Sequence, residues 1–271
     1  MKKVRSFDDT YINYSVKKSK NDLCLVFIHG AGGDLTAWSK ELEFFQREGY
    51  STLAIDLRGH GLSDRPSHLN DYELDKFAQD IQVVLDKEKI TKFVIIAHCF
   101  GGMVAMEFQR LYPNIAQKYV LIDTTSKAPQ RLKTVRFLGS PLLPVFNFLL
   151  QSRFMDKKNF NHVDFDKFVG TGDFNAERIY SDISHTSIRS WLFTYEHIAR
   201  FDGREALKNI TVPVLIIHGE ADKVFNIEKA IEINGLVDKS VLDIIPKANH
   251  IIVINNPDIL NEKIHNFLKE N

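Results

Sequence analysis

Cys99 lies where a buried strand is expected to turn sharply into a helix, a position that can make a cysteine reactive. The chain there has Ala97-His98-Cys99-Phe100-Gly101, with small residues two positions before and two positions after the cysteine. This matches the nucleophile-elbow pattern, with sulfur in the place that serine usually takes. The following helix N-terminus favours the thiolate over the thiol. The motif predicts Cys99 as a nucleophile, although the same five residues also fit a small core cysteine.

A thiol nucleophile needs a base and a group that orients the base, and candidates for both follow later predicted strands. Asp222 lies in the turn after a strand predicted at 213–218, and we prefer it to Glu220 in the same turn. His250 follows a strand predicted at 240–245 and is the only histidine between that strand and the last helix. The simpler interpretation of four other histidines is a loop residue held by backbone hydrogen bonds: His29, His60, His98 and His218.

The order Cys99, Asp222, His250 resembles that of the α/β-hydrolases of the esterase, lactonase and C–C hydrolase group, and the likeness covers nearly the whole chain. The resemblance implies a catalytic Cys-His-Asp triad made of these three residues. Most members of the group have Gly-His-Ser-x-Gly where this chain has Ala-His-Cys-Phe-Gly, but dienelactone hydrolases of the same fold use cysteine.

Further segments resemble the same family in the expected order. Residues 29–33 resemble the His-Gly-x-Gly loop, so the backbone N–H groups of Ala31 and Phe100 are implied as the oxyanion hole. Residues 54–63 resemble the Asp-x-Arg-Gly-x-Gly-x-Ser turn, whose role in the family is mainly structural. We expect five residues to contact the substrate: Gly32, His98, Trp191, Val224 and Ile251.

The composition is that of an ordinary globular enzyme. The 271 residues are 44% hydrophobic and 26% charged, which suffices for one sizeable core. Because 35 basic and 35 acidic residues balance, no attraction to nucleic acid is expected. Residues 1–9 are not followed by an apolar run, so we expect neither a signal peptide nor a transmembrane segment, and a cytoplasmic protein. The two cysteines, Cys24 and Cys99, suggest neither a disulfide framework nor a metal site, and the predicted chemistry requires no cofactor.

Strand and helix patterns alternate along the chain. A helical pattern covers residues 72–86. The alternation predicts an α/β-hydrolase fold with an eight-stranded, mostly parallel sheet flanked by helices, and ligands bind such sheets outside the carboxyl ends of the strands. The predicted strands are 2–6, 11–17, 23–29, 51–56, 93–97, 117–122, 213–218 and 240–245.

About ninety residues separate the sixth and seventh predicted strands, far more than a connecting helix needs. We predict a helical cap over 127–205, inserted after strand 6, and a core domain of 1–126 and 206–271. The cap is rich in phenylalanine, so its cavity should suit acyl or aryl groups.

The apolar stretch 137–150 is expected to pack within the cap, with a lipid-contacting lid flap as the alternative. A nearby basic cluster is expected to be a solvated face, with a preference for substrates carrying a carboxylate as the alternative: Lys127, Arg131, Lys133 and Arg136.

The predicted reaction is hydrolysis of a small-molecule carboxylic ester or lactone through a covalent acyl-enzyme. Acyl transfer, thioester hydrolysis and C–C bond hydrolysis are neighbouring alternatives, because a thioester intermediate also accepts amines and thiols. A low-turnover ligand-binding receptor of the same fold is a further alternative, and so is replacement of a natural serine by Cys99. Epoxide hydrolase and dehalogenase activities are disfavoured. In this fold they resemble the activities of enzymes with an aspartate nucleophile, and the elbow of this chain carries no carboxylate. A monomer or homodimer is expected.

Overall fold

A single eight-stranded sheet runs through the computed structural model, which describes residues 1–130 and 160–270. Each strand agrees with its predicted range to within one residue at either end. The strands are β1 (Lys2–Arg5), β2 (Tyr11–Lys17), β3 (Cys24–Ile28), β4 (Ser51–Ile55), β5 (Phe93–His98), β6 (Lys118–Ile122), β7 (Val214–Gly219) and β8 (Ser240–Ile245).

The strand order is β1-β2-β4-β3-β5-β6-β7-β8. The pairs β1–β2 and β2–β4 are antiparallel, and all the other neighbouring pairs are parallel. The predicted fold class, an eight-stranded and mostly parallel sheet, is therefore confirmed. Because β5, β7 and β8 run in the same direction, the turns that follow them meet at one edge of the sheet.

Nine α-helices lie within the two described ranges. The helical pattern predicted at 72–86 corresponds to the second of them. The helices are α1 (Ser39–Arg47), α2 (Leu74–Glu88), α3 (Phe100–Leu111), α4 (Ala176–Thr186), α5 (Ile188–Ile198), α6 (Arg204–Lys208), α7 (Ile227–Leu236), α8 (Ile252–Asn255) and α9 (Pro257–Lys269).

The sheet has an apolar core on each face. Strand β3 is buried at every position, and its residues alternate between the two layers: Val26 packs in one core and Phe27 in the other. Helices α2, α3, α6 and α7 cover the first face, and α1, α8 and α9 cover the second. A strand buried on both sides is typical of a parallel sheet between helical layers and explains the unbroken apolar run in the sequence.

The segment between β6 and β7, here called the insertion, is described at 123–130 and 160–213. Its helices contact the loop that follows β4: the hydroxyl groups of Tyr72 and Ser190 lie 2.7 Å apart, and the Arg65 Nε–H donates to the Thr186 carbonyl at 2.9 Å. The apolar stretch 137–150 and the basic residues Arg131, Lys133 and Arg136 lie outside the described residues. The fourth member of that cluster, Lys127, forms an ion pair with Glu232 at 3.2 Å. None of the helices in the described ranges is long and apolar enough to cross a bilayer.

Candidate active site

Cys99 occupies a strained turn between β5 and α3. Its φ of 53° and ψ of −115° are unfavourable for a residue with a side chain. Two hydrogen bonds hold this backbone in place: the Cys99 N–H donates to the Ile122 carbonyl at 2.9 Å, and the Thr124 hydroxyl donates to the Cys99 carbonyl at 2.7 Å. The turn presents the half-buried cysteine at the carboxyl edge of the sheet.

The glycines after Cys99 are needed because α3 begins against neighbouring backbone. A Cβ atom on Gly101 would overlap the Ile28 carbonyl oxygen, and one on Gly102 would lie 2.5 Å from the Thr124 hydroxyl oxygen. Only glycine lets the helix approach β3 and the end of β6 this closely. The elbow pattern thus requires a small residue at Gly101 for a direct steric reason in this chain.

His250 lies between Cys99 and Asp222. Its Nδ1–H donates to Asp222 Oδ2 at 2.8 Å, and its imidazole interacts with the side chain of Cys99, which raises the pKa of His250. Since Nδ1 is engaged by the carboxylate, Nε2 is the ring nitrogen left for the thiol. Glu220, the other acid of the same turn, is exposed and accepts the Lys247 N–H at 3.0 Å. The geometry therefore brings together Cys99, His250 and Asp222, and it leaves Glu220 outside.

Asp222 is held as a carboxylate by three donors. Besides His250, the N–H groups of Val224 and Phe225 donate to its Oδ1 at 2.7 and 2.9 Å. Burial disfavours its charged form, but the hydrogen bond and charge of His250 and the two backbone donors keep the pKa of Asp222 below its ordinary value.

His250 is fully enclosed, and burial alone would disfavour its imidazolium form. The charge of Cys99, together with hydrogen bonds to Asp222 and Cys99, nevertheless raises the pKa of His250 well above its ordinary value. The site thus favours the protonated state of His250, the state required of a base that accepts a proton from a neighbouring group.

The turns that carry Asp222 and His250 are bonded to each other. The Ala221 N–H donates to the Ala248 carbonyl at 2.8 Å, and a Cβ on Gly219 would lie 2.6 Å from the same carbonyl oxygen. This close approach explains why a glycine ends β7. It fixes the distance between acid and base through the main chain.

The two expected oxyanion donors lie on segments that border Cys99. Phe100 is the first residue of α3, so its N–H has no acceptor within the helix. The loop with Ala31 also touches the elbow, because a Cβ on Gly30 would lie 3.2 Å from the Cys99 Cβ. Both segments are therefore close enough to border the oxygen of a substrate attacked by the thiol.

Two of the expected substrate contacts touch the triad itself. His98 is buried, and its Nε2–H donates to the His250 carbonyl at 2.8 Å. Burial and the charge of His250 lower the pKa of His98 to about 3, so its ring is neutral. Val224 contributes its N–H to Asp222. In this structure His98 therefore contacts the main chain of His250, and Val224 contacts the carboxylate of Asp222.

The other three expected contacts lie in different parts of the fold. A Cβ on Gly32, which has a φ of 82°, would lie 2.9 Å from the Cβ of Asp182 in α4. The half-buried Trp191 ring lies 4.2 Å from the Tyr195 ring in α5. Ile251 is buried directly after His250. Gly32 therefore packs against the insertion, and Trp191 belongs to the insertion itself.

The fold and this arrangement can be compared with known proteins. The alpha/beta hydrolase fold family matches residues 24–257. The chain belongs to this family. Protein ABHD8 from Bos taurus is 27% identical over 258 residues, covering 94% of this chain and 58% of that protein, so the chain spans little more than half of that relative. Epoxide hydrolase 4 from Homo sapiens is 28% identical over 272 residues, covering 91% and 72% of the two chains.

Solved structures of other α/β-hydrolases align over almost the whole chain. An esterase from Exiguobacterium antarcticum superimposes with a TM-score of 0.77 at 18% identity, covering 99% of both chains. An enol-lactonase from Burkholderia xenovorans LB400 gives 0.76 at 18% identity, covering 99% of this chain and all of that one (100%). At such identity the likeness establishes the fold alone. Support for a hydrolase comes from the family match and from the relatives found by sequence.

Two aspartates of this α/β-hydrolase that the sequence did not single out lie beside the triad. Asp123 follows β6 at the same edge of the sheet, and it is completely buried within reach of His250. Its place at a strand end was a readable signal. Asp173, in the insertion before α4, accepts the His250 N–H at 2.8 Å. No sequence pattern marks Asp173.

Three groups of described residues bring possible metal ligands within 4.8 Å of one another. Two of them consist of triad residues with Asp123, His98 or His218. In the third, the Asp56 Oδ2 already accepts from Asn13 and Leu62, each at 2.8 Å, and lies 2.7 Å from His162. These contacts account for the clustering through the protein's own hydrogen bonds.

The remaining loop histidines contact backbone atoms. His29 Nε2 accepts the Leu57 N–H at 3.0 Å, and His60 Nδ1 lies 2.9 Å from the Arg58 carbonyl. His218 Nε2 lies 3.1 Å from the Phe225 carbonyl. These contacts fit the structural role expected for the three rings.

Proposed function

We propose that this α/β-hydrolase cleaves carboxylic esters or lactones through the triad Cys99, His250 and Asp222. The observation that carries the proposal is the position of His250, which is hydrogen-bonded to Asp222 at 2.8 Å and interacts with the side chain of Cys99 at the elbow. A nucleophile, a base and an orienting acid in mutual contact are the requirements for covalent acyl transfer.

In the first half-reaction His250 takes the proton of Cys99, and the thiolate sulfur bonds to the carbonyl carbon. The carbonyl oxygen becomes an oxyanion facing the Ala31 and Phe100 N–H groups, and losing one such donor costs about 3 kcal/mol in comparable sites. When the intermediate collapses, the C–O bond to the leaving alcohol breaks and His250 returns its proton to that oxygen.

The thioester acyl-enzyme is then hydrolysed. His250 removes a proton from water, the hydroxide attacks the thioester carbon, and the acid leaves as the thiol is re-formed with the proton from His250. The tautomer required of His250 is the one that Asp222 holds through Nδ1. We do not propose the epoxide hydrolysis named for one relative, because the elbow presents sulfur and no carboxylate.

Residues 127–205 are proposed to form a cap over this site, with 1–126 and 206–271 as the core domain. Contacts of the insertion with both triad turns and with the loop of Gly32 support this division. The substrate contacts at Gly32, His98, Trp191, Val224 and Ile251 remain part of the proposal. A cytoplasmic location and a monomeric or homodimeric state also stay predictions.

The first test follows p-nitrophenol release from p-nitrophenyl acetate while intact mass reports acylation, for the unmodified chain and for Cys99→Ala. We expect an acetyl adduct and turnover in the former, and at least about a 10³-fold loss of turnover without an adduct in the variant. Activity that survives in Cys99→Ala would overturn the thiol assignment. Tight ligand binding without turnover would favour the receptor alternative.

Cys99→Ser is the matched comparison. If sulfur is the natural nucleophile, the serine variant should lose turnover, because the site is built around a group that ionises more easily than a hydroxyl. A large gain would indicate that cysteine replaces a natural serine. Adding a thiol or an amine to the assay separates acyl transfer from hydrolysis by the product formed.

A further inference from the structure

Asp173 belongs to the insertion, yet its carboxylate accepts hydrogen bonds from the two turns that carry Asp222 and His250. Its Oδ1 accepts the N–H of His250 at 2.8 Å, and its Oδ2 accepts the N–H of Lys223, the residue after Asp222, at 2.9 Å. The side chain is buried, so water cannot readily replace either bond. One carboxylate therefore links the main chain of both turns.

The neighbouring residues of the insertion attach to the same place. The Asn249 and Asn255 side chains donate to the Thr171 carbonyl at 2.9 and 3.0 Å, and the Gly170 N–H donates to Asn255 Oδ1 at 2.7 Å. Residues 170–173 thus lie along the loop that begins α8. These contacts hold the loop as a whole, and within residues 170–173 the direct bond to the main chain of His250 comes from Asp173.

We infer that Asp173 is a positioning residue for catalysis, which sets the distance between His250 and Cys99 by anchoring the main chain of both triad turns to the insertion. The inference rests on the proposed triad. On this inference the insertion positions the catalytic base in addition to covering the site. The physical reason is that a base must lie within hydrogen-bond reach of its proton, and a shift of about 1 Å can cost about 100-fold in rate.

The test compares Asp173→Ala and Asp173→Asn with the unmodified enzyme. The alanine variant should lose about 10- to 100-fold in kcat for p-nitrophenyl acetate with KM changed less than about threefold, because only the geometry of the base changes. Alkylation of Cys99 by iodoacetamide at neutral pH should slow by a similar factor. The asparagine variant keeps one acceptor oxygen, so it should fall between the other two.

Asp166→Ala is the matched control. Asp166 is another acid of the insertion, 77% exposed and, among the described residues, ion-paired with Lys40 alone at 3.6 Å, so its loss should leave kcat and alkylation unchanged. Circular dichroism and thermal unfolding establish that each variant is folded. A merely structural role for Asp173 would lower the melting temperature while kcat and the alkylation rate of the folded enzyme stay constant.

The inference is overturned if folded Asp173→Ala keeps kcat and alkylation within about twofold, or if the loss lies in KM alone. Should the alanine variant fail to fold, Asp173→Asn must still show a lower kcat at unchanged KM, and parity with the unmodified enzyme would contradict the inference. Cys99→Ala is measured alongside. If it retains activity, the proposed triad has failed, which is a different result from a normal triad that does not depend on Asp173.

Discussion

Two buried aspartates follow neighbouring parallel strands, Asp123 after β6 and Asp222 after β7, and their surroundings shift their charge states in opposite directions. Asp222 receives three hydrogen-bond donors. Asp123 receives the Gly219 N–H at 2.8 Å, and within the described ranges its Oδ2 has no hydrogen-bond partner. Burial, reinforced by the charge of Asp222, raises the pKa of Asp123 well above its ordinary value despite the opposing charge of His250.

The difference shows that the number of hydrogen-bond donors, and not burial, separates the charge state of Asp222 from that of its neighbour. Both carboxyl groups are removed from water, which favours the neutral form. Only at Asp222 do the backbone of the turn and His250 compensate for the lost solvation. Asp222 can therefore stabilise an imidazolium by charge, whereas the raised pKa of Asp123 favours its neutral form.

The largest expected effect comes from Asp222→Asn. The amide keeps the size of the side chain but removes the charge and can turn an N–H toward Nδ1, which favours the wrong tautomer of His250. We expect kcat for p-nitrophenyl acetate to fall about 10³- to 10⁴-fold with little change in KM. Steady-state kinetics measure this. A loss below about tenfold would show that Asp123 can replace Asp222 and would remove the contrast between them.

Asp123→Asn should change stability more than activity. A group whose pKa is raised in the folded state contributes stability that is present below its unfolded value, 3.8, and is lost as pH rises through the folded value. Asparagine does not titrate, so the unmodified chain should lose free energy of unfolding relative to the variant as pH rises from about 5 to about 8, by on the order of 1 kcal/mol or more.

Guanidinium denaturation of both proteins at several pH values measures that slope, and kcat should stay within about threefold. Asp222→Asn is the control of opposite sign. The pKa of Asp222 is lowered, so its contribution is present above 3.8 and is lost as pH falls through the folded value. Equal pH slopes for the two variants would contradict the comparison.

The sequence predicted the sheet, and it placed Cys99, Asp222 and His250 after three of its strands, because both depend on local patterns. Apolar runs mark the strands, and a parallel sheet brings the ends of β5, β7 and β8 to one edge wherever the chain goes in between. The positions of Cys99, Asp222 and His250 at those ends were therefore readable before any contact was known.

The supporting residues were not readable in the same way. Asp173 is 77 residues from His250 in the chain and lies in an irregular segment, so its bond to that backbone exists only in the folded protein. His98 adjoins Cys99, but its ring binds the carbonyl of a residue 152 positions away. The state of Asp123 depends on an Oδ2 atom that no donor reaches within residues 1–130 and 160–270, and no residue type in the sequence indicates such an absence.

Glu220→Gln should have the smallest effect, and it tests the choice between the two acids of the β7 turn. Glu220 is exposed, and its carboxylate accepts the Lys247 N–H at 3.0 Å, a bond that a glutamine oxygen can also accept. Because water surrounds the group, removing its charge changes little at His250. We expect kcat and KM within about twofold of the unmodified enzyme in the p-nitrophenyl acetate assay. A loss approaching that of Asp222→Asn would mean that the turn rearranges in solution and presents the other carboxylate to the base, so the donors around Asp222 would no longer explain which acid works.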